Sequence, residues 1–190
     1  MKIRIALLCL CAMNCFLFGQ TPKPPTAAEL KTFQETKVKA EKGDAAAQNK
    51  LALIYIEGAG VASDIVEAVK WFRKAAEQGD AIGQNALGSV YEDGRGVARD
   101  HKEAAKWYRK AAEQGQANAQ GNLGALYANG QGVPKDEVEA FKWGLLAAAQ
   151  GVELSRNSVE LGAKRLTGAQ RAQGLQRAFK WKPLIPQKAP

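Results

Sequence analysis

The sequence predicts an all-α solenoid of stacked helix pairs with capping helices at both ends, and three observations predict it. Glycines recur at Gly43, Gly79, Gly115 and Gly151, and tryptophans at Trp71, Trp107 and Trp143, always 36 residues apart. Aligned without gaps, residues 43–78 match 79–114 at 22 of 36 positions, and 79–114 match 115–150 at 17. Within each unit the apolar residues fall at three- and four-residue steps, the helical period, and a helix pair of this size buries its apolar face by stacking on neighbours. Length and composition agree: 190 residues, 46% hydrophobic and 24% charged, suffice for one soluble domain with a sizeable core.

In chain order, the first segment stands apart from the fold. Lys2 and Arg4 precede an apolar run at 5–18 that ends at Gly19-Gln20-Thr21-Pro22, the layout of an export signal. The run is shorter than the roughly 20 residues that span a bilayer, and Pro22, Pro24 and Pro25 prevent its extension. Residues 1–19 are therefore read as a signal peptide cut after Gly19. This gives an exported product, periplasmic or secreted, with no transmembrane segment after cleavage. Cys9, Cys11 and Cys15 all lie in the signal, so the product has no disulfides. A lipid-modified Cys15 is the rival reading; Asn14 stands where such signals place a small residue.

Residues 20–42 read as a linker and capping helix, because Thr26 with Glu29 has the spacing of a reciprocal helix cap. Repeat 1 (43–78), repeat 2 (79–114) and repeat 3 (115–150) each read as two helices. In the first helix of repeat 2, Ala81, Gln84, Leu87, Gly88 and Tyr91 share one side. Small residues at Ala47, Ala52, Gly83, Gly88, Ala119 and Gly124 let another helix approach. The exit is Gly-x-Gly-Val in each repeat, at Gly58, Gly94 and Gly130, where glycine permits left-handed backbone. A phosphate-binding reading of these glycines fails on context, since nucleotide loops follow a strand and open onto a helix.

Each second helix opens on an aspartate with a glutamate three residues later: Asp64 and Glu67, Asp100 and Glu103, Asp136 and Glu139. A capping box explains residue type, spacing and threefold recurrence together, which paired catalytic carboxylates do not. Then comes an i, i+3, i+4, i+7, i+8 stripe, Ala68, Trp71, Phe72, Ala75 and Ala76, repeated as Ala104, Trp107, Tyr108, Ala111 and Ala112, which reads as core. The third repeat has Gly144 in place of the second aromatic, so its packing is expected to be looser there or filled by Phe141. Residues 151–190 read as a degenerate fourth repeat, a basic capping helix and a tail. Ala172, Leu175 and Phe179 are expected to form that helix's apolar face, with Arg171, Arg177, Lys180 and Lys182 on its polar outer side.

Charge separates the tail from the body. Residues 20–151 hold 17 basic and 17 acidic residues, whereas 152–190 hold 8 and 2. The tail could meet an acidic or anionic envelope partner, or be a solvated cap. Nucleic acid is not expected, since no nucleic-acid motif accompanies the charge. One histidine, His101, excludes histidine-pair metal sites, and neither HExxH nor Gly-x-Ser-x-Gly occurs. No catalytic, metal or cofactor residues are assigned, and no cofactor is expected.

Three motifs stand together at 43–78 and 79–114: Gly-Asp-Ala-x-x-Gln-x-x-Leu, Tyr-x-x-Gly-x-Gly-Val-x-x-Asp, and Ala-x-x-Trp-[Phe/Tyr]-Arg-Lys-Ala-Ala-Glu-Gln. They resemble the Sel1-like repeat, a relative of the tetratricopeptide repeat. The third repeat departs at Gln116 and at Gly144-Leu145-Leu146. The resemblance implies antiparallel helix pairs stacked into a right-handed, TPR-like α-solenoid and a role in holding other proteins. It places the first helices on a concave face, with Asn49 and Leu53, Asn85 and Ser89, and Gly121 and Ala125 turned to solvent there. Glu57, Glu92, Asp93 and Asn129 add polar groups at the helix ends. Protein binding is thus expected at Asn49, Leu53, Glu57, Asn85, Ser89, Glu92, Asp93 and Asn129, where Asn49 and Asn85 could grip a peptide backbone through their amides. The function read is an exported adaptor for a peptide or protein partner. Alternatives are a cell-wall or carbohydrate binding protein that stacks sugars on Tyr and Trp, or an envelope enzyme.

N-terminal mass analysis tests the export reading. Protein recovered from the envelope or medium of the producing cell should start near Gln20 without an acyl group. A diacylated Cys15 would replace the soluble product with an anchored one.

Overall fold

The structure, a computed structural model, describes residues 24–183. Its elements are α1 (Ala27–Glu41), α2 (Ala45–Glu57), α3 (Ile65–Glu77), α4 (Ala81–Asp93), α5 (His101–Glu113), α6 (Ala117–Asn129), α7 (Glu137–Ala149), α8 (Glu153–Arg165) and α9 (Gly168–Lys180). Among the described residues there is no strand. Successive helices pack on one another from α1 to α8, and α2 also touches α4, so the chain is an all-α repeat solenoid. The proposed signal at 1–19 and its cysteines lie outside the described residues.

Each repeat helix starts where a side chain accepts a free first-turn N–H. Asp44, Asp80 and Gln116 cap the first helices by accepting from Ala47, Gly83 and Ala119. Asp64, Asp100 and Asp136 cap the second helices by accepting from Glu67, Glu103 and Glu139. The reciprocal half of the expected boxes does not form. The backbone N–H groups of Asp64, Asp100 and Asp136 donate instead to the carbonyls of Tyr55, Tyr91 and Tyr127, at 2.9, 2.9 and 3.1 Å. Tertiary structure thus supplies a backbone acceptor, and the glutamates pair with Lys70, Lys106 and Lys142. Full boxes form at Thr26 with Glu29 and at Thr167 with Gln170.

Polar groups as well as apolar ones lock the stack. Gln48, Gln84 and Gln120 are buried, and their amides donate to the last-turn carbonyls of the preceding second helix, Ala40, Ala76 and Ala112, at 3.1, 3.2 and 3.2 Å. Their own oxygens accept from Gln78, Gln114 and Gln150, which end the second helix of the same repeat, at 2.7, 2.7 and 2.8 Å. Each buried glutamine therefore joins three helices.

The apolar stripe is buried in α3 as expected: Ala68, Trp71, Phe72, Ala75 and Ala76. In α5, Tyr108 is buried but Trp107 is only half-buried, a correction to its reading as core. Trp143 gains a cover that Trp107 lacks, the edge of Trp181 with ring centres 6.2 Å apart.

The last helix turns the opposite way from the expectation. Ala172, Leu175 and Phe179 face solvent, and Gly174 is the buried position. A Cβ at Gly174 would lie 2.7 Å from the Phe141 ring. Helix α9 therefore packs on α7 through the glycine at its middle, and that contact sets its roll. Two basic residues expected on the outer side are engaged as well. Arg177 reaches inward to Glu139 at 2.7 Å, and Arg171 donates to the carbonyls of Ala163 and Leu166.

Two glycines per exit loop have different duties. The first, at Gly58, Gly94 and Gly130, ends the helix in left-handed backbone, with φ of 73°, 72° and 69°. The second touches the start of the previous second helix. A Cβ at Gly60 would lie 2.6 Å from the Glu29 carbonyl oxygen, at Gly96 2.9 Å from the Ile65 side chain, and at Gly132 2.0 Å from the His101 carbonyl oxygen. Gly79 has a similar positive φ of 90° but nothing within 4 Å. Gly79→Ala should cost about 1 to 2 kcal/mol from backbone strain alone. Gly132→Ala should cost clearly more, because α5 must move as well. Equilibrium urea unfolding of the two variants gives the comparison.

Candidate functional site

The first helices α2, α4, α6 and α8 stand in a row, and the expected binding positions distribute unevenly along them. Leu53 and Glu57 on α2, Asp93 on α4 and Asn129 on α6 are exposed, and Ser89 is half-exposed. Asn49 is not a surface residue. It is 6% exposed and its amide donates to Asp80 at 2.7 Å, so it ties α2 to the cap of α4. Asn85, one repeat on, has Gln116 at the position of Asp80 and accepts from Asn122 at 3.2 Å. Glu92 is also committed, accepting from the buried Tyr108 hydroxyl at 2.6 Å.

That tyrosine explains where a groove opens. In repeat 2, Gly88 leaves room for the Tyr108 ring, which a Cβ there would meet at 2.6 Å, and Glu92 takes its hydroxyl. In repeat 1 the same two positions are Phe72 and Ile56, an apolar pair without a hydroxyl to satisfy. In repeat 3 they are Gly144 and Ala128, so ring and acceptor are lost together. The expected filling by Phe141 does not occur, since that ring turns toward Gly174. Instead α6 and α7 close up: a Cβ at Gly124 would lie 3.2 Å from the Ala140 carbonyl oxygen and 3.3 Å from the Gly144 nitrogen. Val159 of α8 leans in toward Gly144.

A groove of about 660 Å³ remains beside this join. Its floor is Gly124, Ala140 and Gly144; Asn85, Asn118, Asn122 and Asn129 supply amides, and Leu154 and Leu161 of α8 an apolar wall. Glu137 and Arg165 are its charged groups. Of the expected residues the groove gathers Asn85 and Asn129, but not Asn49, Leu53, Glu57, Ser89, Glu92 or Asp93. Leu161 escaped the sequence reading although it stands 36 residues after Ala125, in the same column, because the solvent-facing positions were not carried on into the degenerate fourth repeat.

Each of the three repeat tryptophans has a lysine over its ring. The ammonium groups of Lys74, Lys110 and Lys142 lie 3.9, 4.2 and 4.3 Å from the ring centres of Trp71, Trp107 and Trp143. Tyr91 and Tyr127 accept from Arg73 and Arg109 at 2.9 and 2.6 Å. Among the described residues no group of three or more His, Cys, Asp and Glu could hold a metal ion, and no helix is long and apolar enough to cross a membrane.

The Sel1 repeat model matches three times in tandem, at residues 45–80, 81–116 and 117–152. The chain belongs to the Sel1 repeat family. The family frame begins at the first residue of each first helix, two residues after the glycine that marks the period. Among solved structures, this Sel1 repeat protein is similar to one from Oxalobacter formigenes, at 40% identity over 67% of this chain and 96% of that one, with TM-score 0.63. It is also similar to a protective antigen of uropathogenic Escherichia coli with an SLR fold, at 31% identity over 80% of this chain and 40% of that one, with TM-score 0.60. Cysteine rich protein B of Helicobacter pylori shares the fold at 24% identity over 67% of this chain and 95% of that one, with TM-score 0.57. No curated protein matches the chain. Sel1 repeat proteins are helical-repeat modules for protein interaction.

Burial, then the hydrogen bond to Glu92 and that carboxylate's charge, push the Tyr108 phenol above its ordinary 10.0. The unfolded chain releases this proton near pH 10 while the folded one keeps it. The unfolded state then binds fewer protons, so this group's stabilisation falls as pH rises past 10. Tyr108→Phe should cost about 1 to 2 kcal/mol at neutral pH, where Glu92 loses its donor. The gap to the parent should narrow above pH 10, as read by urea unfolding at stepped pH.

Proposed function

We propose that this protein is an exported, non-catalytic adaptor that holds a peptide or protein partner on its concave face, seated in the groove between α6, α7 and α8. The observation that carries the reading is the groove itself, which opens in the one repeat where the aromatic residue and its acceptor are both replaced. Apolar walls would take a partner's side chains, and the four asparagines offer amide donors and acceptors to its backbone. Leu53 and Glu57 extend the same face toward the N-terminal end. The basic tail offers a second contact, for an acidic or anionic partner of the bacterial envelope.

Ala125 is exposed at the groove, so Ala125→Trp blocks it without disturbing the core. Affinity capture from envelope extract, with mass spectrometry, should recover a partner with the parent protein. Recovery should fall about tenfold with Ala125→Trp, and less with Asn129→Ala, while helix content by circular dichroism stays unchanged. Equal recovery with all three proteins would remove the groove from the function.

A further inference from the structure

The outer face of α9 has no counterpart in a repeat protein that only needs a polar end. Phe179 is 94% exposed and Leu175 53%, and with Ala172 they form one strip along the helix. No acidic residue occurs in α9. Cations flank the strip at both ends. Lys180 and Lys182 are exposed at the C-terminal end. At the other end Arg171 donates to the carbonyls of Ala163 and Leu166, which brings it beside Lys164 and Arg165, both exposed on the last turn of α8. The two arginines whose charge is met by protein, Arg156 with Glu153 and Arg177 with Glu139, lie outside this set.

We infer that this end of the solenoid docks on an anionic phospholipid surface, with Phe179 and Leu175 entering the boundary between headgroups and acyl chains. The inference rests on the reading of the basic tail as a contact for an anionic partner, and it names that partner. Charge complementarity points to lipid: four cations outside the groove, Lys164, Arg171, Lys180 and Lys182, flank an apolar strip with no acidic residue on its helix, and a bilayer offers negative headgroups with hydrocarbon directly beneath. Lys180 and Lys182 can extend along the surface and keep their ammonium groups at headgroup level while the ring inserts. The rigid packing of α9 through Gly174 and the Arg177–Glu139 pair holds the strip outward before any contact is made.

Vesicle flotation tests it, using the protein as the producing cell processes it. Binding is measured to vesicles of phosphatidylglycerol with phosphatidylcholine, and to vesicles of phosphatidylcholine alone. The parent should float with the first and not the second, and lose most binding at 1 M salt, where screening acts over about 3 Å. Phe179→Gln should weaken binding about tenfold, as should Lys180→Gln with Lys182→Gln at low salt. Phe179 is 94% exposed and covered by none of the described residues, so helix content should not change, and Ala125→Trp should bind vesicles like the parent. Equal flotation with both vesicle types, or full binding by Phe179→Gln, overturns the proposal. So does a lipid-free dimer in light scattering that Phe179→Gln dissolves. Salt-sensitive capture of an acidic protein without flotation overturns the lipid assignment while leaving the tail as an anion contact.

Discussion

The stack depends on the buried amides of Gln48, Gln84 and Gln120. A second helix ends with carbonyls that have no partner within the helix, and in a solenoid some of these ends face the next unit rather than water. Each glutamine donates its buried amide to one such carbonyl of the unit before it, which also accepts from the N–H of Gly43, Gly79 or Gly115, and it accepts from the terminal glutamine of its own unit. Because a buried polar group left without a partner costs about 1 to 3 kcal/mol, the next unit is held in the register that completes the bond. Alanines around the join, among them Ala75, Ala76, Ala111 and Ala112, are buried and small, so apolar packing alone would tolerate sliding. The directional bond removes that freedom. Units set in fixed register then place the first helices side by side, and the groove inherits its shape from that row.

Against this regular background the third repeat is informative through what it gives up. Tyr108 and Glu92 form a buried hydroxyl–carboxylate contact; Phe72 and Ile56 replace it with hydrocarbon; Gly144 and Ala128 replace it with nothing. A lone loss of the ring would have stranded the carboxylate beside apolar surface, and the paired change avoids that. The backbones respond by approaching until Gly124 lies against α7, and space that remains opens toward solvent instead of closing as a void.

Local signals were legible and long-range ones were not. The helix exits at Gly58, Gly94 and Gly130 and the aspartate caps could be read directly, since each rests on residues within a turn of one another, and the 36-residue period shows by repetition of the sequence itself. The return half of the capping boxes could not, because Tyr55, Tyr91 and Tyr127 compete for the same N–H from another helix. Asn49 was misplaced for a similar reason: its partner Asp80 belongs to the next repeat, beyond the reach of any local pattern. The groove was half legible, through Asn85 and Asn129. Periodicity placed Ala172, Leu175 and Phe179 on one face of α9 correctly, but a period does not say which face a neighbour covers; the contact between Gly174 and Phe141 decided that.

The second glycine of each exit loop leans on a helix start one unit back: Gly60 on Glu29, Gly96 on Ile65 and Gly132 on His101, each 31 residues earlier. The helix α1 therefore stands where the second helix of a preceding unit would stand. Such a joint is indifferent to how many units come before or after it. Copy number can then change by duplication or loss of a whole 36-residue segment with every joint re-formed, whereas a shorter or longer insertion within a unit would misalign the loop and the helix start that meet there. Length in such an array is quantised, and growth in whole steps would lengthen the concave face without redesigning any contact.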